Sequence, residues 1–137
     1  MPNWVFNTMV VKSSNKKQLD DFIKRHFKKD EENELQFDFN TIIAEPSTKE
    51  TCPKEYICEC DKEYLQDIKG GNWFNWYKWR CDNWGTKWNA CDTDIVSEGE
   101  DEIEVWFNTA WDKPRGIIKA LKKMYKDLSF SFRSVYE

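Results

Sequence analysis

The sequence predicts an α+β domain, a four-stranded antiparallel sheet with two helices on one face and a Trp-rich helical insertion. Three observations predict it. Apolar residues alternate in short β-branched and aromatic runs near both ends of the chain. Two amphipathic stretches with helical spacing lie between those runs. The stretch at about 30–88 has a different composition, first acidic and then aromatic. Its last part, WFNWYKWRCDNWGTKW at 73–88, holds five of the eight tryptophans.

Residues 4–12 alternate through Trp4, Val5, Phe6, Val10 and Val11 and read as a strand. Ser13, Ser14 and Asn15 offer an N-cap. Leu19, Phe22, Ile23, His26 and Phe27 then recur at helical spacing, with Lys16, Lys17, Lys24, Arg25 and Lys28 on other faces, so a helix is expected over about 15–28. KDEENE at 30–35 reads as a solvated connector. FDFNTII at 37–43 suits a short strand or extended loop, and Pro46 to Pro53 suit a loop. Residues 55–68 are ambiguous between strand and helix. After Gly70-Gly71, Asn72 is expected to cap a helix with Trp73, Trp76, Tyr77 and Arg80 on one stripe, closed by Gly85.

Residues 89–97 and 101–109 pattern as two strands of a hairpin turned by Ser97-Glu98-Gly99-Glu100. Asp112 and Pro114 are expected to start a helix that buries Ile117, Ile118, Leu121, Met124 and Tyr125. Phe130, Phe132 and Ser134 mark one side of a last strand. Without 30–88, the order is β-α-β-β-α-β, the ferredoxin-like arrangement. The whole of 1–137 then forms one domain with an acidic and Trp-rich insertion at about 30–88.

At 34% charged and 39% hydrophobic residues, the composition is that of a globular chain rather than a disordered one. No apolar run approaches the ~20 residues of a membrane span. The opening MPNWVFNTMVV reads as a strand, not a signal peptide. Five cysteines, an odd number, point to free thiols in a reducing cytosol, so a cytoplasmic location is expected. The net charge of −4 is segregated. Residues 1–29 carry +5, 30–67 carry −9, 68–104 carry −4 and 105–137 carry +4. Separated charge of this kind steers partners.

The Trp segment also carries an ordered string, Trp76-Tyr77-x-Trp79-Arg80-x-x-Asn83-Trp84-Gly85-Thr86-Lys87-Trp88-x-Ala90. It resembles the core motif of YubB-like proteins of phages and plasmids, which bear a ferredoxin-like domain. Pro2-Asn3-Trp4 with Asn7 and the step Phe107-x-Thr109-Ala110-Trp111-x-x-Pro114 resemble two further pieces of that family. The sequence departs from the pattern at Ala44, where a proline is common, and reaches Glu137 where relatives often continue with a Gly-containing tail. The resemblance implies the fold and a mobile-element origin. It implies no iron–sulfur cluster and assigns no activity.

The aromatic cluster admits two readings. Trp76, Trp79, Trp84, Trp88 and Trp111 can pack the insertion onto the sheet, with Arg80 stacked on a ring and Gly85 turning the chain. The rings of Trp73, Tyr77 and Trp79 cover more than one side of a helix, so some face outward as interface anchors. Cys52, Cys58, Cys60, Cys81 and Cys91 lack paired metal spacing, and no metal or cofactor is expected. His26, the single histidine, reads as a packed residue. No Gly-rich phosphate loop, GxSxG, HExxH or Cys–His pair points to an enzyme.

Two acidic clusters, Glu31, Glu32 and Glu34, and Glu98, Glu100, Asp101, Glu102 and Glu104, are candidates for occupying a basic groove built for nucleic acid. With Trp73, Tyr77 and Trp79 as anchors, they lead to the expectation of a non-enzymatic binding protein that inhibits a host defence nucleoprotein of the anti-CRISPR or anti-restriction type. The alternative is direct nucleic-acid binding through basic helix faces (Lys16, Lys24, Lys119, Lys123) or through sheet aromatics such as Trp4, Phe6, Trp106, Phe130 and Phe132, a face the insertion would also be placed to cover. A third reading is a homodimer formed through the insertion, so monomer and homodimer both stay open.

Overall fold

A computed structural model describes residues 3–48, 50–57, 65–68 and 72–137, with the backbone course alone for 65–68, 72 and 73. Four strands form the main sheet: β1 (Trp4–Lys12), β6 (Cys91–Glu98), β7 (Glu102–Ala110) and β8 (Ser129–Tyr136). Their order is β6-β7-β1-β8, antiparallel throughout. With α1 (Lys16–His26) after β1 and α3 (Arg115–Met124) after β7, this is the ferredoxin-like topology that the sequence order predicts.

Strand alternation sorts the two faces. Val5, Met9 and Val11 of β1 and Ile103, Val105 and Phe107 of β7 are buried, and they meet Leu19 and Phe22 of α1 and Ile117 and Leu121 of α3. Asn7 is buried on the same side without penalty. Its Nδ2 donates to Thr109 Oγ1 at 3.0 Å and to the Val5 and Phe107 carbonyls, while Ser134 Oγ donates to its Oδ1. Met124, expected in the core, is exposed because it sits in the last turn of α3, past the edge of the apolar stripe.

The insertion starts as a short hairpin, β2 (Phe27–Lys29) and β3 (Leu35–Phe37), that continues α1 without a break. Its turn is organised by Asp30, whose carboxylate accepts the N–H groups of Glu32 and Glu34. A single 3₁₀ turn, Phe39–Thr41, follows where a strand or extended loop was the expectation for 37–43. A second hairpin, β4 (Leu65–Ile68) and β5 (Asn72–Asn75), leads into α2 (Trp76–Asn83). The helix thus begins at Trp76, capped by Asn75 accepting from Lys78 N–H at 3.0 Å, and not at Asn72. The reason is that Asn72–Asn75 pairs with β4, which places Trp73 on a strand.

The second helix cap is also displaced. Pro114, not Asp112, is the N-cap of α3. Trp111, at φ 71, turns the chain out of β7 first, and Asp112 instead accepts from Lys113 N–H and the Arg115 guanidinium.

The described parts of the insertion pack on the helix side of the sheet. Phe37 and Phe39 set their rings on Phe107 at 5.2 and 6.1 Å, and Trp84 meets Phe39 at 5.5 Å. Trp84 is fully buried and its Nε1–H donates to the Ile43 carbonyl at 2.8 Å. Each fully buried ring contributes on the order of 2–3 kcal/mol, and edge-to-face pairs add about 0.5–1.5 kcal/mol. Among the described residues, the insertion therefore reaches the open sheet face only at its Trp4 end, where Trp88 lies 6.1 Å from the Trp4 ring, while Phe37, Phe39 and Trp84 are consumed on the opposite side. Among the described residues no helix is long and apolar enough to cross a membrane.

His26 ties the insertion to the last helix. Thr41 Oγ1 donates to the Asp38 carbonyl, so it accepts from His26 Nδ1–H at 2.8 Å, and His26 Nε2 accepts from the Tyr125 hydroxyl at 2.6 Å. This network assigns the neutral tautomer. Burial, reinforced by Arg25 and Lys28, lowers the imidazole from 6.5 to about 4. A depressed histidine stabilises the fold above its unfolded pKa, and that stability is lost as pH falls from about 6.5 toward 4. The loss attributable to His26 between pH 7 and 5 is about 2 kcal/mol. Urea midpoints should show that pH slope in the wild type and lack it in His26→Gln. Equal slopes would remove His26 from the acid response.

Candidate functional site

Beyond its Trp4 end, which Trp88 meets, the face of the sheet turned away from the helices is open among the described residues. Register places its side chains in cross-strand rows. Asn108, Phe6 and Val135 form one row, and Asp94, Trp106, Thr8 and Arg133 the next. Ser97, Glu104, Val10 and Ser131 form the third, and Glu102, Lys12 and Ser129 the last. Phe6 and Trp106 are diagonal neighbours on the two central strands, 47% and 51% exposed, and Val135 opposite Phe6 is 49% exposed. Exposing this much apolar surface side by side is costly unless a partner covers it. The carboxylates concentrate on the β6–β7 half, and Arg133 stands on β8. Glu104 accepts from the Trp106 indole N–H at 2.8 Å, and Lys12 pairs with Glu102 at 3.7 Å.

The two acidic clusters lie toward the same end of the sheet. Phe39 N–H bonds Asn89, and Phe37 N–H and the Gln36 side chain bond Thr93, so β3 runs antiparallel beside β6. That course carries Glu31, Glu32 and Glu34 toward the same end of the sheet as the β6–β7 turn. Glu31, Glu32, Glu34, Glu98, Glu100, Asp101 and Glu102 are all exposed, and Glu104 is half-buried. Asp101 also holds the chain locally, its carbonyl accepting Ser13 N–H at 2.9 Å.

The predicted aromatic anchors do not join them. Trp79 is buried at 4% exposure, packed edge-on to Phe74 and Trp84, so it is core and not an anchor. The side chain of Trp73 lies outside the described residues. Tyr77 is half-buried in a groove at the other end of the sheet. At about 3.4 Å per residue, β7 separates that end from the acidic tip by roughly 27 Å. The aromatic that does adjoin carboxylates is Trp106, with Phe6 as its diagonal neighbour, and both were legible as sheet aromatics.

Arg80 fills the structural role expected of it. Its guanidinium lies 5.0 Å from the Trp76 ring and 5.3 Å from the Trp84 ring, and it pairs with Glu45 at 2.9 Å. Gly85 takes φ 93, closing α2 with its N–H on the Arg80 carbonyl. Trp88 is half-buried, 6.1 Å from the Trp4 ring. Trp111, expected to pack in the core, is 55% exposed, because its positive φ swings the indole away from the sheet.

Both ordered motifs converge on the groove, about 590 Å³, between α2 and the start of α3. Tyr77, Cys81, Thr86, Lys87, Trp111 and Arg115 line it. Gly116 makes the junction possible, with its N–H bonded to the Trp84 carbonyl at 3.1 Å. Asp112 at its rim feels burial, which raises its pKa. Hydrogen bonds from Tyr136, Lys113 N–H and Arg115 outweigh that and hold the carboxyl below its usual value. Burial pushes the Cys81 thiol up, with Asp82 adding to the rise and Lys87 opposing it. A thiol raised in this way is not poised as a nucleophile at neutral pH. Among the described residues no cluster of His, Cys, Asp and Glu has the arrangement of a metal site.

Residues 83–134 match the family model described as a ferredoxin-like domain in Api92-like protein. The matched stretch contains the Gly85–Trp88 loop, the β6–β7 hairpin, the Trp111 step and α3. It supports the ferredoxin-like fold. No curated protein and no solved structure matches the chain.

The α2–α3 junction gives a direct test. A Cβ on Gly116 would lie 1.8 Å from the Asn83 carbonyl oxygen, whereas on Gly99 it meets only the Glu102 carbonyl at 3.2 Å. Gly116→Ala is expected to destabilise by roughly 2–4 kcal/mol and Gly99→Ala by under about 1 kcal/mol. Denaturant midpoints check this, and equal midpoints would mean the two helices do not meet as described.

Proposed function

We propose that this chain is a non-enzymatic binding protein whose open sheet face docks on a basic, nucleic-acid-handling surface of another protein. The observation that carries the reading is the diagonal placement of exposed Phe6 and Trp106, with Trp106 next to the carboxylates of Asp94 and Glu104 and Glu102 further along the same face of β7. Large rings supply the buried centre of such an interface, and the carboxylates supply complementarity to a basic partner and a fast approach. The resemblance to YubB-like proteins of phages and plasmids makes the partner a host defence nucleoprotein, inhibited in the manner of anti-CRISPR or anti-restriction proteins.

A second reading has one observation in its favour. Ferredoxin-like sheets stack unpaired bases on aromatics of their two central strands, and Phe6 and Trp106 occupy such strands. The carboxylates beside Trp106 repel phosphates, which favours the protein partner.

The test is affinity capture from nuclease-treated host cytosol with the wild type, Phe6→Ala/Trp106→Ala and Glu102→Lys/Glu104→Lys. A basic nucleic-acid-handling protein should be retained by the wild type and reduced about tenfold or more with either variant. Undiminished capture by both variants would remove the sheet face from the mechanism. Capture abolished by nuclease, with steeply salt-dependent binding of single strands by the free chain, would establish the second reading instead.

A further inference from the structure

The α2–α3 groove has a construction that stability alone does not explain. Asp112 N–H returns to the Ala110 carbonyl at 2.9 Å across Trp111, whose φ is 71. That is a γ-turn of the rare, strained hand, held here under a bulky aromatic residue. Strain of this kind persists only where the surroundings enforce it. Here Thr109 Oγ1 donates to the Asp112 carbonyl, and Trp111 N–H donates to the Asn3 carbonyl. The indole gains little burial in return, being 55% exposed.

The charges around it are not equivalent. Asp112 is engaged by Arg115, Tyr136 and Lys113 N–H, and Asp82 accepts from the Tyr56 hydroxyl at 3.0 Å. Lys87 differs. Its ammonium lies 4.1 Å from the Trp111 ring centroid and 4.7 Å from that of Trp88, and it makes no ion pair with a carboxylate among the described residues. A cation held on ring faces keeps its attraction for an anion. Arg115 adds a second cation on the groove wall.

We propose that this groove binds a small planar anion, a heteroaromatic ring carrying a phosphate, as in a mononucleotide. The ring lies against Trp111 and Tyr77, and the phosphate is held by Lys87 with Arg115 beside it. The volume suits a ligand of that size. The site stands at the opposite end of the sheet from the acidic tip and does not rest on the sheet-face reading.

Calorimetric titration of the full chain with adenosine 5′-monophosphate tests the proposal, with adenosine and inorganic phosphate as the ring-only and charge-only probes. The monophosphate should bind about tenfold or more tighter than either fragment, and Lys87→Met should weaken it about tenfold. Trp111→Gly is the decisive variant. Glycine accepts φ 71 without strain, so this variant should melt at or above the wild-type temperature and still lose the ligand. Absence of binding at millimolar monophosphate would overturn the proposal. So would inorganic phosphate binding equally well, or a Trp111→Gly chain that keeps wild-type affinity or melts well below the wild type.

Discussion

The rest of the structure depends on where Phe107 finds its partners. This ring points from a central strand toward the helices, and α1 and α3 alone do not enclose it. Phe37 and Phe39 of the insertion close over it, and Trp84 closes over Phe39. The consequence is directional. With Phe37, Phe39 and Trp84 consumed on the helix side, the described insertion reaches the other face of the sheet only where Trp88 meets Trp4. The open aromatic face is thus a product of the same packing that holds the insertion in place.

That packing also distributes chemistry along the sheet. The β6–β7 turn and the β2–β3 turn bring two acidic runs, separate in sequence, to one end. The α2–α3 junction brings two motifs, also separate in sequence, to the other. Gly85 and Gly116 make the second meeting possible, since a Cβ on either would strike backbone of the facing element. The two ends are joined by β7, which carries Trp106 on its exposed side and Phe107 on its buried side. One strand therefore serves core, open face and groove, and a change in its register would disturb all three.

The sheet order, both flanking helices and the β6–β7 hairpin were legible because their apolar periods are strong and local. The interior of the insertion was less so. Asn72 and Asn75 are equally good caps by residue type, and only pairing with β4 decides between them. The exposure of tryptophans was the least legible property. Trp79 and Trp111 belong to motifs of similar appearance, yet one is packed between Phe74 and Trp84 and the other is thrown outward by a positive φ that no local signal announces. The acidic clusters were legible as charge but their placement toward one end of the sheet was not, because it follows from β3 lying beside β6.

The most direct measurement is hydroxyl-radical footprinting of the chain alone and bound to its captured partner. The account predicts that Phe6 and Trp106 are oxidised in the free chain and protected in the complex, while buried Trp84 stays unreactive in both states. Unreactive Phe6 and Trp106 in the free chain would show that the sheet face is covered. Protection confined to Trp111, with Trp106 unchanged, would place the partner at the wrong end of the sheet for this account.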